Sequence, residues 1–169
     1  IFLVAVGYKP FMDGFFEIRQ ADLRLFFNIL PWFLACMVSA IAMRLWAEER
    51  KNGSIELLLT LPITVPQAVL GKFFAAWAFM GIGLFLTFPI PVTVAYLGNP
   101  DMGQITVGYL GSFLMAGCFL AVGMFFSALT KNQVISLILS VVGCLVLLFA
   151  GHPSTLNFIA STISPAVAD

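Results

Sequence analysis

Residues 25–62 read LFFNILPWFLACMVSAIAMRLWAEERKNGSIELLLTLP. A long apolar run ends in a cluster of charge, and the chain then returns directly to leucines. The protein has 8 basic and 8 acidic side chains in 169 residues. Five of them fall within Arg44–Lys51, and a sixth is Glu56. The apolar part, Leu25–Trp46, is interrupted only by Asn28 and Pro31 until Arg44 near its end. About 20 such residues cross the hydrocarbon core of a bilayer as a helix. The stretch therefore reads as a membrane span, a charged exit and a return.

Outward from it the pattern repeats. The chain is 61% hydrophobic and 9% charged, with a mean hydropathy of +1.04. Soluble domains carry roughly 45–50% apolar and about 25% charged residues, so lipid is the natural solvent of this chain. Three further runs, Phe73–Leu97, Ile105–Leu129 and Val134–Gly151, have the length of a span, and none alternates with the period of two that a membrane barrel strand shows. The expected fold is all-α: a polytopic membrane helix bundle. Ile1–Gly7 is expected to be the tail of a span that starts upstream. The segment after Gly151, with Leu156, Ile159 and Ile163 spaced by three and four, is expected to be amphipathic or re-entrant. On this reading the chain is an internal fragment. Its net charge of zero makes no case for a nucleic-acid partner.

The loops set orientation. Arg44, Arg50, Lys51 and Lys72 lie in one connection, and Lys131 joins the third and fourth spans on the same side. On the other side Lys9, Arg19 and Arg24 face Asp13, Glu17, Asp22, Asp101 and Asp169. Excess Lys and Arg marks the cytoplasmic face, so residues 44–72 and Lys131 are expected there, in a multi-pass protein.

Within that loop the helix should continue through Ala47–Lys51 and stop at Asn52-Gly53, where glycine supplies a positive φ. Ser54 can cap a short apolar helix, Ile55–Leu61, with Glu56 in its first turn and Pro62 ending it. Thr64 and Gln67 then read as a capping box that opens the next helix. The short helix is too apolar to stand free in water and too short to span. It either rests on lipid and the protein's own spans, or it docks a soluble partner.

Inside the spans, Gly108, Ser112 and Ala116 stand four apart, beside Gly117 and Ala121, and Ser136, Ser140 and Cys144 repeat that spacing. Small residues at this spacing let helices approach closely in lipid. Pro89 and Pro91 remove backbone donors and should kink or interrupt the second span.

The stretch EERKNGSIELLLTLPITVPQAVLGKF, residues 48–73, resembles the first cytoplasmic loop of ABC transporter permeases of the type-2 exporter superfamily. It is most similar to the branch of gliding-motility and nitrous-oxide-reductase-maturation permeases. The matching positions are Glu49, Arg50, Lys51, Gly53, Ser54, Glu56, Leu58, Leu59, Pro62 and Lys72. The resemblance implies one permease domain over residues 1–169, with residues 48–62 as a coupling-helix loop that seats in a groove of a cytoplasmic ATPase. It assigns the contacts to those loop positions together with Ile55. It also implies a second permease copy or homologous half, ATP and Mg bound by the partner ATPase, and a bacterial inner (plasma) membrane. Members of the family usually have six spans, so the first is expected to be truncated here and the sixth to be missing.

Catalytic patterns are not found in the sequence. It holds no Gly-x-x-x-x-Gly-Lys-Ser/Thr phosphate loop, no HExxH and no GxSxG. Its one histidine, His152, lies at a span boundary, and Cys36, Cys118 and Cys144 show no pairing or metal-ligand spacing. The chain is expected to hold no cofactor or metal and to catalyse nothing itself. Two functions fit: the membrane subunit of an ATP-driven exporter, or a non-transporting scaffold or assembly factor that docks a partner through the same loop. The scarcity of charge within the spans favours a lipid-like, hydrophobic or polymeric cargo over a strongly charged small solute.

Overall fold

A helix satisfies its own backbone polar groups, which lipid cannot do, and the apolar runs of this chain all take that solution. The computed structural model describes residues 4, 7–8, 23–54, 64–98 and 100–151, and among them there is no strand. Among the described residues the helices with defined bounds follow in order: α1 (Arg24–Leu45), α2 (Ala47–Asn52), α3 (Val65–Phe85), α4 (Pro89–Leu97), α5 (Met102–Leu129) and α6 (Gln133–Ala150). Among the described residues four helical stretches are long and apolar enough to cross a membrane: Phe26–Asn52, Val65–Tyr96, Met102–Leu129 and Gln133–Ala150. The protein is an all-α, multi-pass membrane helix bundle. The amphipathic segment expected after Gly151, and His152, lie outside the described residues.

Local signals set the helix ends. Asp101 caps α5, its Oδ1 accepting from the Gly103 amide at 2.9 Å and the Gln104 amide at 3.4 Å. Asn132 caps α6 through the Val134 amide at 3.0 Å. The second span starts earlier than its apolar run, at Val65 instead of Phe73, because the Thr64–Gln67 cap begins a helix before hydrophobicity does. That span is also split. Thr87, Phe88 and Ile90 donate to carbonyls three residues back, at 3.0 Å each, and α4 restarts with Pro89 in its first turn. Proline clashes with the carbonyl four residues earlier but costs nothing at a helix start, so the break falls at Leu86–Phe88, just ahead of Pro89.

The long helix α5 organises the bundle. It packs against α1 and α6, which also pack on each other, and it meets α3 separately. Small residues permit these approaches. A Cβ on Gly123 would lie 2.5 Å from the Ala42 Cβ of α1, and one on Gly108 would lie 2.6 Å from the Phe27 ring. Ser112 donates to the Gly108 carbonyl at 2.7 Å, and Ala116 is fully buried. Toward α3, Trp77 stacks on Phe113 with ring centroids 4.4 Å apart, and its Nε1 donates to the Phe113 carbonyl at 3.0 Å. The core holds Phe26, Leu30, Leu34 and Val38 of α1 against Leu120 and Cys144.

Two buried hydroxyls are paired across this core, while that of Ser136 has no hydrogen-bond partner among the described residues. Ser39 Oγ lies 3.7 Å from Cys144 Sγ, and Ser140 Oγ donates to the Gly123 carbonyl at 3.4 Å. Large apolar side chains such as Phe79, Phe85, Leu110, Leu114, Val142 and Val146 are exposed. That pattern is the reverse of a water-soluble exterior and suits lipid contact.

Candidate functional site

Charge gathers where α1 ends, and the backbone there does something the apolar run does not announce. Helix α1 stops at Leu45, and Trp46 adopts φ −126°, ψ −39° before α2 begins. Amides at such a step lose their partners one turn back. Ser127, in the last turn of α5, takes both: its Oγ accepts from the Trp46 amide at 3.2 Å and the Ala47 amide at 3.1 Å. The same hydroxyl donates to the Met43 carbonyl at 3.3 Å. Ser127 is fully buried, so the joint between α1 and α2 is pinned to α5 from inside.

A second tie comes from α3. Lys72 Nζ donates to the Leu45 carbonyl at 2.9 Å, forms an ion pair with Glu49 of α2, and lies 4.0 Å above the centre of the Trp46 ring. One ammonium therefore meets the end of α1, the aromatic ring of the joint and the first turn of α2. The site is partly buried, with the Lys72 and Glu49 side chains 20% and 29% exposed, so the pair is screened less than a surface one. Glu49 Oε2 is buried and has no hydrogen bond of good geometry among the described residues. Charge pairing with Lys72 is what answers it there.

The borders of the loop are also fixed. Gly53 ends α2 with φ +72°, a conformation that favours glycine. Ser54 Oγ donates back to the Glu49 carbonyl at 3.4 Å. On the far side the Thr64 amide donates to Gln67 Oε1 at 3.0 Å, the Gln67 half of a capping box.

Of the loop residues singled out from sequence, Glu49 is held by Lys72, while Arg50, Lys51, Gly53 and Ser54 are exposed. Ile55, Glu56, Leu58, Leu59 and Pro62 lie outside the described residues. Lys51 and Lys131 line one small cleft together with Asn132, so the two basic connections lie at the same end of the bundle. In the sequence Lys72 is a motif position without a partner, and no signal there points to Ser127.

The helix break is at a distance from these charges along the second span. Thr87 Oγ1 donates to the Leu84 carbonyl at 2.6 Å. The Tyr109 hydroxyl donates to the Thr87 carbonyl at 3.2 Å and lies 3.0 Å from Thr87 Oγ1. Pro91 is buried in α4, whereas Pro89 is exposed. Among the described residues no three His, Cys, Asp or Glu side chains converge as a metal site. At the charged end, Lys72 and Ser127 thus join α1, α2, α3 and α5 by direct contacts.

Comparison with known proteins gives this arrangement a context. A family model described as ABC-2 family transporter protein matches residues 8–168. The "Heme exporter protein B" of Rhodobacter capsulatus is 31% identical over 137 residues, which cover 73% of this chain and 58% of that protein. The protein of the same name from Escherichia coli strain K12 is 32% identical over 89 residues, 50% of this chain and 38% of that protein. The chain thus spans less than two thirds of the length of these relatives. They bear a different name from the gliding-motility branch that the loop resembles. No solved structure matches the chain.

Proposed function

The chain belongs to the ABC-2 transporter family, and from that premise we propose that it is the membrane-spanning permease subunit of an ATP-driven exporter. On this reading the loop and Lys131 face the cytoplasm of a bacterial cell, in its inner membrane. Two permease halves, copies or homologues, work with separate ATPase subunits that bind ATP and Mg. This chain catalyses no step itself.

The observation that carries the reading is the Lys72 tie. A loop that only rested on the bilayer would gain nothing from locking its two borders to each other. Here the helix entering the loop and the helix leaving it share one ammonium, with contacts to Leu45, Trp46 and Glu49. A push on residues 48–62 by a closing ATPase pair would therefore move α1 and α3 together instead of bending the loop. The joint at Trp46, pinned by Ser127, passes the same displacement to α5. The relatives' name makes heme the first cargo to test, and the lack of charge deep in the spans agrees with a largely apolar one.

In the full-length protein, Glu56→Lys combined with Leu58→Asp and Leu59→Asp should weaken co-purification of the ATPase roughly tenfold or more, as loss of a few central contacts does at other interfaces. Membrane insertion should be unchanged. Undiminished association together with undiminished transport would remove the coupling role.

A further inference from the structure

The close contact of α3 with α5 at Trp77 and Phe113 does not extend to the charged end. There a groove of about 580 Å3 remains between α3, α5 and the joint at Trp46, within the range of about 300–1,000 Å3 common for small-molecule sites. Val69 and Phe73 form one wall, and Ala121 and Phe125 the other. The walls are open sideways: Leu70 is 54% and Phe125 61% exposed. Both lie on helices long and apolar enough to cross a membrane, at the ends nearest the charged loop, so the groove opens sideways at the membrane boundary.

Among the described residues lining it, Arg50 is the one charged side chain. The cleft lined by Lys51 and Lys131 likewise has no carboxylate among its described lining residues. An apolar slot at the charged end of the spans, with a guanidinium in its lining and two ammonium groups at the same end of the bundle, matches a single amphiphile with an anionic head. Arginine suits phosphate because its planar fork of donors can bind two oxygens at once. Basic groups at this depth also draw anionic lipids toward the protein.

We propose that the groove seats an acyl chain of an anionic phospholipid whose phosphate is held by Arg50. Such a lipid would wedge α3 from α5 beside the joint and so set the resting spacing of the helices that border the loop. The proposal needs only the membrane embedding of the spans and stands apart from the exporter reading.

The test is lipid retention by the full-length protein in detergent, followed by native mass spectrometry. Phosphatidylglycerol and phosphatidylcholine of identical chains are titrated separately, and glycerol phosphate is added as a free headgroup. Wild-type protein should hold phosphatidylglycerol roughly fivefold more tightly than phosphatidylcholine, the scale expected for one basic contact at the membrane surface. Arg50→Gln should abolish that preference and leave phosphatidylcholine binding as it was. Ala121→Trp, which fills the groove, should weaken both lipids, and Val69→Trp does the same from the opposite wall should the first variant fail to fold. Equal affinity for the two lipids would overturn the proposal. So would a preference that survives Arg50→Gln, retention unaffected by either tryptophan, or displacement of the lipid by an equal concentration of glycerol phosphate.

Discussion

Ser127 uses the whole capacity of a hydroxyl, one donor and two acceptors, on partners 80 and 81 residues away and on the Met43 carbonyl. Removing it strands two amides in a buried site, at a cost of about 1–3 kcal/mol each. Ser127→Ala should therefore lower the midpoint of denaturant unfolding in detergent, whereas Ser127→Cys, which keeps a weak acceptor, should fall between. Equal midpoints for all three proteins would mean that the joint does not depend on this hydroxyl. Nothing in the sequence near Ser127 reveals the role, since a serine at the end of an apolar run is unremarkable until its partners are known. Gly53 and Gln67 are the opposite case. Their signals are local, a positive φ and a cap four residues into a turn, and a local signal can be read without the fold.

At the scale of elements, the four spans were legible from apolar length alone, and the way they pack was not. Every span is apolar on all sides, so the pattern that separates core from water in a soluble helix is missing, and nothing marks α5 as central. The spaced small residues narrow the choice without naming a partner. Gly108 admits Phe27, while Gly123 admits Ala42. The second contact gives a sharp test. Gly123→Ala would place two Cβ atoms 2.5 Å apart, so α1 and α5 must separate, and overpacking of this kind costs about 1–3 kcal/mol. Adding Ala42→Gly should restore most of the lost thermal stability. Absence of rescue in the double variant would show that the two positions do not meet. The break in the second span is legible only in part: two prolines announce an interruption, but the run of tightened turns before Pro89 depends on Thr87 finding Tyr109.

For the molecule as a whole, the connections divide between two ends of the bundle. The Lys51–Lys131 cleft puts two of them together, and Asp101 starts the span that leads from the opposite side. Once Cys36 and Cys118, both exposed, are replaced by alanine, cysteines at Ser54 and Lys131 should react with a membrane-impermeant maleimide only after cells are opened. One at Asp101 should react in intact cells, and the reverse labelling would invert the topology. The sparse contact between α1 and α3, against the extensive packing of each on α5, also has a consequence for biosynthesis. The ribosome makes α1 and α3 before α5, and until α5 emerges the contacts between them among the described residues are few, that of Lys72 included. Ser39 waits longer still, because Cys144 lies 105 residues downstream. The early helices therefore gain most of their described packing only once α5 and α6 have been made, so the bundle closes from its later spans.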